Sequence, residues 1–151
     1  ALVPVVSDYS IPRLTARDCI KKVERWERIA REASQQCGSS RILRVFPLIH
    51  IDEIPVCEGN TLGLTFHHIP LENNTLHGYL SSRPSAVSIC IGPEGGFSER
   101  EVALLSGRGY KPFHVRTNVL RTETAGLFAI AAVEIILLEI SSWTINSPLR
   151  G

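Results

Sequence analysis

The chain has no pair of cysteines at the spacing a zinc site needs. Cys19, Cys37, Cys57 and Cys90 stand apart, with no Cys-x-x-Cys and no histidine partner at ligand spacing. This excludes the common zinc modules and reads as four free thiols of a cytosolic protein. His67 and His68 are adjacent, so on a strand they would point to opposite faces and not share one metal. No Gly-x-x-x-x-Gly-Lys-Ser/Thr run is present, which removes the P-loop. No basic start leads into an apolar signal core. The most apolar stretch, 125–140, is broken by Glu134 and Glu139, so it reads as a packed helix rather than a membrane span. Methionine is absent altogether.

Apolar residues make up 44% and charged residues 21% of the 151 positions, ordinary for one globular domain and against disorder or fibre. A net charge of +1 conceals an uneven distribution. Residues 1–50 carry nine Lys/Arg against five Asp/Glu, residues 51–107 two against seven, and residues 108–151 five against three. The first block includes Arg13, Arg17, Lys21, Lys22, Arg25, Arg28, Arg31, Arg41 and Arg44, a candidate footprint for RNA phosphates. The plainer reading is a solvated helix face on which Glu24, Glu27 and Glu32 pair with these cations.

That helix is the clearest element. Thr15 and Asp18 spell a capping box, Cys19, Val23, Trp26, Ala30, Ala33 and Cys37 form an apolar stripe expected to face the core, and Gly38 ends it. Strands are expected at Leu43–Leu48, Leu62–Phe66, Ala86–Ile91 and Lys111–Val115, a short segment around Leu76–Leu80, and helices at Ser98–Arg108 and Ala125–Ile140, the last expected to be the most buried. Strands alternating with helices give an α/β class with a mainly parallel sheet flanked by helices. Ligands in such sheets gather at the carboxyl ends of the strands, here after Phe66, Ile91 and Val115.

Two segments carry chemistry. Gly92-Pro93-Glu94-Gly95-Gly96-Phe97-Ser98 follows a strand and opens a helix capped by Ser98 and Glu101. Its glycines let a ligand approach the backbone, while Glu94 places a negative charge where a phosphate would sit, favouring a cationic or neutral ligand. The alternative is a plain glycine turn. Leu120-Arg121-Thr122-Glu123-Thr124-Ala125 sets a polar knot at the mouth of the last helix, where Thr122 or Thr124 is a candidate cap and Arg121 a partner for a carboxylate.

Both segments, together with Arg25-Trp26-Glu27-Arg28-Ile29 and Glu32-Ala33-Ser34-Gln35-Gln36-Cys37-Gly38, resemble the bacterial 16S ribosomal RNA uridine-N3 methyltransferases, the RsmE-type branch of the SPOUT superfamily. The resemblance covers almost the whole chain. Members usually begin with a small RNA-binding barrel and then the first strand and helix of the methyltransferase domain. Leu2–Ser7 resembles the family's second strand, so residues 1–151 are expected to be a single SPOUT-type domain truncated at its N-terminus, as the missing methionine and Ala1 also suggest.

The resemblance implies a C-terminal trefoil knot, a homodimer through the last helix, S-adenosylmethionine as cofactor, no metal, a cytoplasmic location, and methyl transfer to N3 of a uridine in small-subunit ribosomal RNA. Carried over by position, it implies cofactor contacts from Leu64, Phe66 and His67, from Ile91, Gly92, Pro93, Glu94, Gly95 and Gly96, and from Val115, Val119, Leu120, Arg121 and Thr124. Catalytic roles fall to Arg121, Glu94 and Glu123. Val115-Arg116 and Asn118 depart from the family's Leu-Gly and Arg. Two rivals stand beside this reading: another SPOUT enzyme such as a transfer RNA ribose methyltransferase, and a non-catalytic domain that dimerises or binds RNA.

Overall fold

The computed structural model describes residues 1–10, 15–67, 75–114 and 120–140. Helix α1 (Ala16–Gln36) starts at the expected capping box, Thr15 and Asp18 each satisfying the other's backbone amide. It ends in a Schellman pair: Gly38, at φ +64°, donates to the Gln35 carbonyl and Ser39 to that of Ser34. The inward stripe differs from the expected one. Ala30 and Ser34 are buried, Cys19, Val23 and Trp26 are half-buried, and Ala33 and Cys37 are exposed. Ser34 is tolerated inside because its hydroxyl donates to the Ala30 carbonyl at 2.8 Å.

The expected strand at Leu43–Leu48 does not form as such. Leu2 bridges Val45, and a regular parallel ladder begins only where β1 (Val5–Val6) pairs β2 (Ile49–His50). Two residues lie between the paired positions on the first segment and three on the second, so the latter bulges by one residue around Pro47, which has no N–H to contribute. A 3₁₀ turn at Ile51–Glu53 follows, anchored by the fully buried Ile51.

The main sheet is parallel, in the order β4 (Ala86–Cys90), β3 (Thr61–His67), β5 (Tyr110–His114). Thr65 lies beside both Cys90 and Pro112, and His67 beside His114, so the three carboxyl ends are neighbours. Pro112 occupies an outer strand, where a missing N–H is best tolerated, and its carbonyl accepts from the Tyr79 hydroxyl at 3.4 Å. The central strand β3 is buried on both faces. Leu62 and Leu64 pack with Leu76, Tyr79 and Leu80 of α2 (Leu76–Leu80) and with Val133 and Ile136 of α4 (Thr122–Ile140). The opposite core joins Ile51, Ile54, Cys90, Tyr110 and Leu105 of α3 (Glu99–Gly107). Gly63 permits this second packing: a Cβ there would stand 2.5 Å from Cys57 Sγ and 3.0 Å from the Tyr110 backbone.

The α/β class with a parallel sheet flanked by helices is therefore observed. Helix α4 starts three residues earlier than expected, and it is not the most buried helix. Ala125, Ala129, Val133 and Ile136 face inward, whereas Leu127 is 74% exposed and Ile130 and Ile135 are each 57% exposed. Among the described residues no helix is long and apolar enough to cross a membrane.

Candidate active site at the strand carboxyl ends

The glycine loop leaves β4 through Ile91 and closes on itself, Gly96 donating from its N–H to the Pro93 carbonyl at 2.8 Å. Gly96 has φ +73°, a conformation that favours glycine. At Gly92 a Cβ would come within 3.2 Å of the Gly96 backbone, and at Gly95 within 3.3 Å of Tyr9, so the loop is packed on both flanks. Pro93 and Gly92 are half-buried, while Glu94 projects into solvent.

The two signature segments meet. Thr122 Oγ1 donates to the Gly92 carbonyl at 3.2 Å. This replaces the expected capping role of Thr122, which is the first residue of α4 itself; the helix begins instead with the Ala125 N–H donating to the Arg121 carbonyl at 2.8 Å. Beside this junction lies a small cleft of about 150 Å³, lined by Val5, Ser7, Ser10, Cys90, Pro93 and Thr122 among others. Ser7 donates from its N–H to Ser10 Oγ at 3.0 Å, and the two hydroxyls lie 2.9 Å apart.

Leu64 is fully buried in the core beneath the site, and Phe66 is half-buried, edge-on to Phe113 with centroids 5.3 Å apart. His67 ends β3. Leu120 is half-buried, and Arg121, Glu123 and Thr124 are exposed at the mouth of α4. Arg121 forms no ion pair with Glu94 or Glu123 among the described residues. Val115 and Val119, with Arg116 and Asn118, lie outside the described residues, as do the loops after Phe66 and His114 in their greater part. No cluster of three or more metal-ligating side chains occurs among the described residues.

Several residues escaped the sequence reading. Glu101, recognised only as a capping residue, is fully buried and accepts two backbone N–H bonds, from Ser98 at 2.8 Å and from Asp8 at 2.7 Å. Ser98 Oγ donates to Asp8 Oδ2 at 2.5 Å. Arg100 spans two carboxylates, Nη2 to Asp8 at 2.9 Å and Nη1 to Asp52 at 2.7 Å. The hydrogen bonds from Arg100, joined at Asp8 by that of Ser98, hold both carboxyls below the usual range, and the two carboxylates raise the Arg100 pKa in return. Burial first, and the Glu101 charge second, push the Cys90 thiol to about 12, so it stays protonated and no nucleophile. Only the local Ser98–Glu101 spacing could have revealed any of this; the partners of Arg100 are 92 and 48 residues away.

A parallel α/β domain with a glycine loop and cleft at its strand carboxyl ends is the class of fold that binds cofactors or nucleotides there. The chain belongs to the RNA methyltransferase domain family, whose model matches residues 1–134. It is 32% identical over 124 residues to the ribosomal RNA small subunit methyltransferase E of Aquifex aeolicus, covering 82% of this chain and 51% of the relative. Against the protein of the same name from Bacillus subtilis it is 30% identical over 147 residues, covering 88% and 54%. The chain thus spans about half the length of the curated relatives it matches. Among solved structures, a ribosomal RNA small subunit methyltransferase E from Neisseria gonorrhoeae bound to S-adenosyl methionine superposes with TM-score 0.70 at 29% identity, covering 90% of this chain and 54% of that one. A putative methyltransferase from Legionella pneumophila in complex with SAM gives 0.72 at 28%, covering 88% and 54%.

Proposed function

We propose that this chain carries the cofactor-binding, methyl-transferring domain of a ribosomal RNA small subunit methyltransferase, acting in the cytoplasm on N3 of a uridine in 16S ribosomal RNA. The observation that carries the reading is the Thr122–Gly92 hydrogen bond, which draws the two signature segments together beside a cleft. The residues present suit S-adenosylmethionine. Gly92 and Gly95 lack the Cβ that would strike the Gly96 backbone and Tyr9, which lets the loop hold its tight shape, Ile91 and Pro93 offer apolar surface, and the exposed Glu94 suits a ligand bearing positive charge.

When bound, the cofactor supplies an activated sulfonium methyl, and transfer needs no metal. What remains for the protein is alignment and a proton. Uridine N3 must lose its proton, form the new N–C bond as the C–S bond breaks, and leave S-adenosylhomocysteine. Alignment of this kind is worth roughly 7–11 kcal/mol of barrier. Glu94 is assigned the methyl side of the loop, Arg121 the substrate or its developing negative charge, and Glu123 the support of the loop. Phe66 and His67, and the 115–121 segment with Thr124, complete the cofactor contacts in the same proposal, whereas Leu64, with no exposed surface, supports β3 from within the core instead of touching the cofactor.

Ribosomal RNA is the proposed partner of the α1 face. Its one ion pair among the described residues is Arg28–Glu32 at 3.9 Å, and Arg17, Lys21, Arg25 and Arg31 remain exposed for phosphates. The exposed Leu127, Ile130 and Ile135 of α4 support a homodimer, and the trefoil knot belongs to the same reading. Calorimetry with S-adenosylmethionine tests the cofactor, and nucleoside mass spectrometry of ribosomal RNA from a strain lacking the gene tests the product. Absence of any cofactor heat or thermal shift at millimolar concentration sinks the enzymatic reading for this chain. A missing modification other than N3-methyluridine redirects it to another branch.

A further inference from the structure

Exposed ion pairs contribute little to stability, yet Arg100 is engaged through three nitrogens, Nε and Nη2 to Asp8 and Nη1 to Asp52. Both partners are themselves fixed. Asp52 belongs to the turn anchored by Ile51, and Arg108 donates to its carbonyl as well as to that of Ile54. Asp8 takes the Ser98 hydroxyl and gives its N–H to the buried Glu101. The network therefore fastens the Ser7–Ser10 turn to the first residues of α3, immediately after the glycine loop. Within that turn Tyr9 lies against the loop, its Cβ at 3.3 Å from where a Gly95 Cβ would stand.

We propose that Arg100 and Glu101 are positioning residues of the glycine loop: by tying the Ser7–Ser10 turn to the start of α3, they hold Tyr9 against Gly95 and set the shape that Gly92–Gly96 presents to the cofactor. The inference rests on the reading of that loop as the cofactor cradle. Its chemistry is specific. Each carboxylate oxygen of Glu101 accepts one backbone N–H, so glutamine, with one acceptor and an NH₂ facing the second donor, cannot replace it. Lysine at position 100 keeps the charge but has a single nitrogen and cannot span both aspartates in this geometry.

The test combines hydrogen exchange over residues 94–97, calorimetric S-adenosylmethionine affinity and the thermal midpoint for wild type, Arg100→Ala, Arg100→Lys, Asp8→Asn, the Asp8→Asn/Arg100→Ala double variant and Glu101→Gln. Arg100→Ala is expected to speed exchange several-fold and weaken the cofactor about fivefold or more, with Arg100→Lys restoring neither and the double variant no worse than Arg100→Ala. Unchanged exchange, faster exchange with unchanged affinity, full rescue by lysine, or additive losses in the double variant would each overturn the proposal. Should Glu101→Gln fail to fold, the exposed Arg100 and Asp8 carry the test. A wild-type chain that takes up no cofactor defeats the functional reading instead, and the exchange arm alone then decides whether the clamp exists.

Discussion

Gly63 shows how one missing methyl group shapes the sheet. Its neighbours on β5 and in the 54–60 connection approach so closely that alanine would force apart Cys57 Sγ and the Tyr110 backbone. Gly63→Ala is expected to destabilise the fold by about 1–3 kcal/mol. Adding Cys57→Ala should relieve only part of this, since the backbone contact remains; denaturant unfolding of the two variants checks it. The thiols separate by environment. Cys37 is exposed, while Cys90 is buried with its pKa near 12. Iodoacetamide at pH 8 should label Cys37 readily and spare Cys90 in the folded protein, as peptide mass spectrometry would read. The aspartates beside Arg100 give a pH expectation with a definite sign. Their folded pKa values lie below the unfolded ones, so whatever they contribute is present above the ordinary carboxylate range of about 4 and lost as pH falls through the lowered values. Cofactor affinity should therefore show no transition from this network between pH 5 and 8, and a titration by calorimetry tests that.

At the scale of elements, caps and junctions carry the consequences. Thr15→Ala removes the side-chain half of the α1 capping box, the hydroxyl that accepts the Asp18 N–H, and should cost about 1 kcal/mol in an unfolding titration. Thr122→Val keeps the shape of the side chain and removes its hydrogen bond to Gly92. It should weaken S-adenosylmethionine binding more than it lowers the melting temperature, and equal effects on both would refute a role at the site. Legibility in the sequence follows the range of the interaction. Both capping boxes, the Gly38 stop and the order β3, β4, α3, β5 were readable because each depends on residues within a turn of one another. The β1–β2 pairing was not: its ladder is interrupted by the bulge at Pro47, so 43–48 has strand composition without a strand. Thr122, one of two candidate caps, serves instead a carbonyl 30 residues earlier, which no local pattern reveals. Arg100 had no local signal, its partners being fixed only once β1, the 51–53 turn and α3 converge.

For the whole molecule, the asymmetry of α4 sets the sharpest expectation. One side of the helix closes the core over β3, while Leu127, Ile130 and Ile135 remain in solvent. Leu127→Glu combined with Ile130→Glu should leave the monomer folded, and light scattering should show loss of dimer; unchanged mass would remove α4 from the interface. The other end of the same architecture acts in the opposite direction. Pro112 on the outer strand β5 has no hydrogen to offer a visiting strand, so the sheet is a poor template for growth on that side. Crowded or newly synthesised copies of this chain are thereby steered away from open-ended strand stacking along that edge.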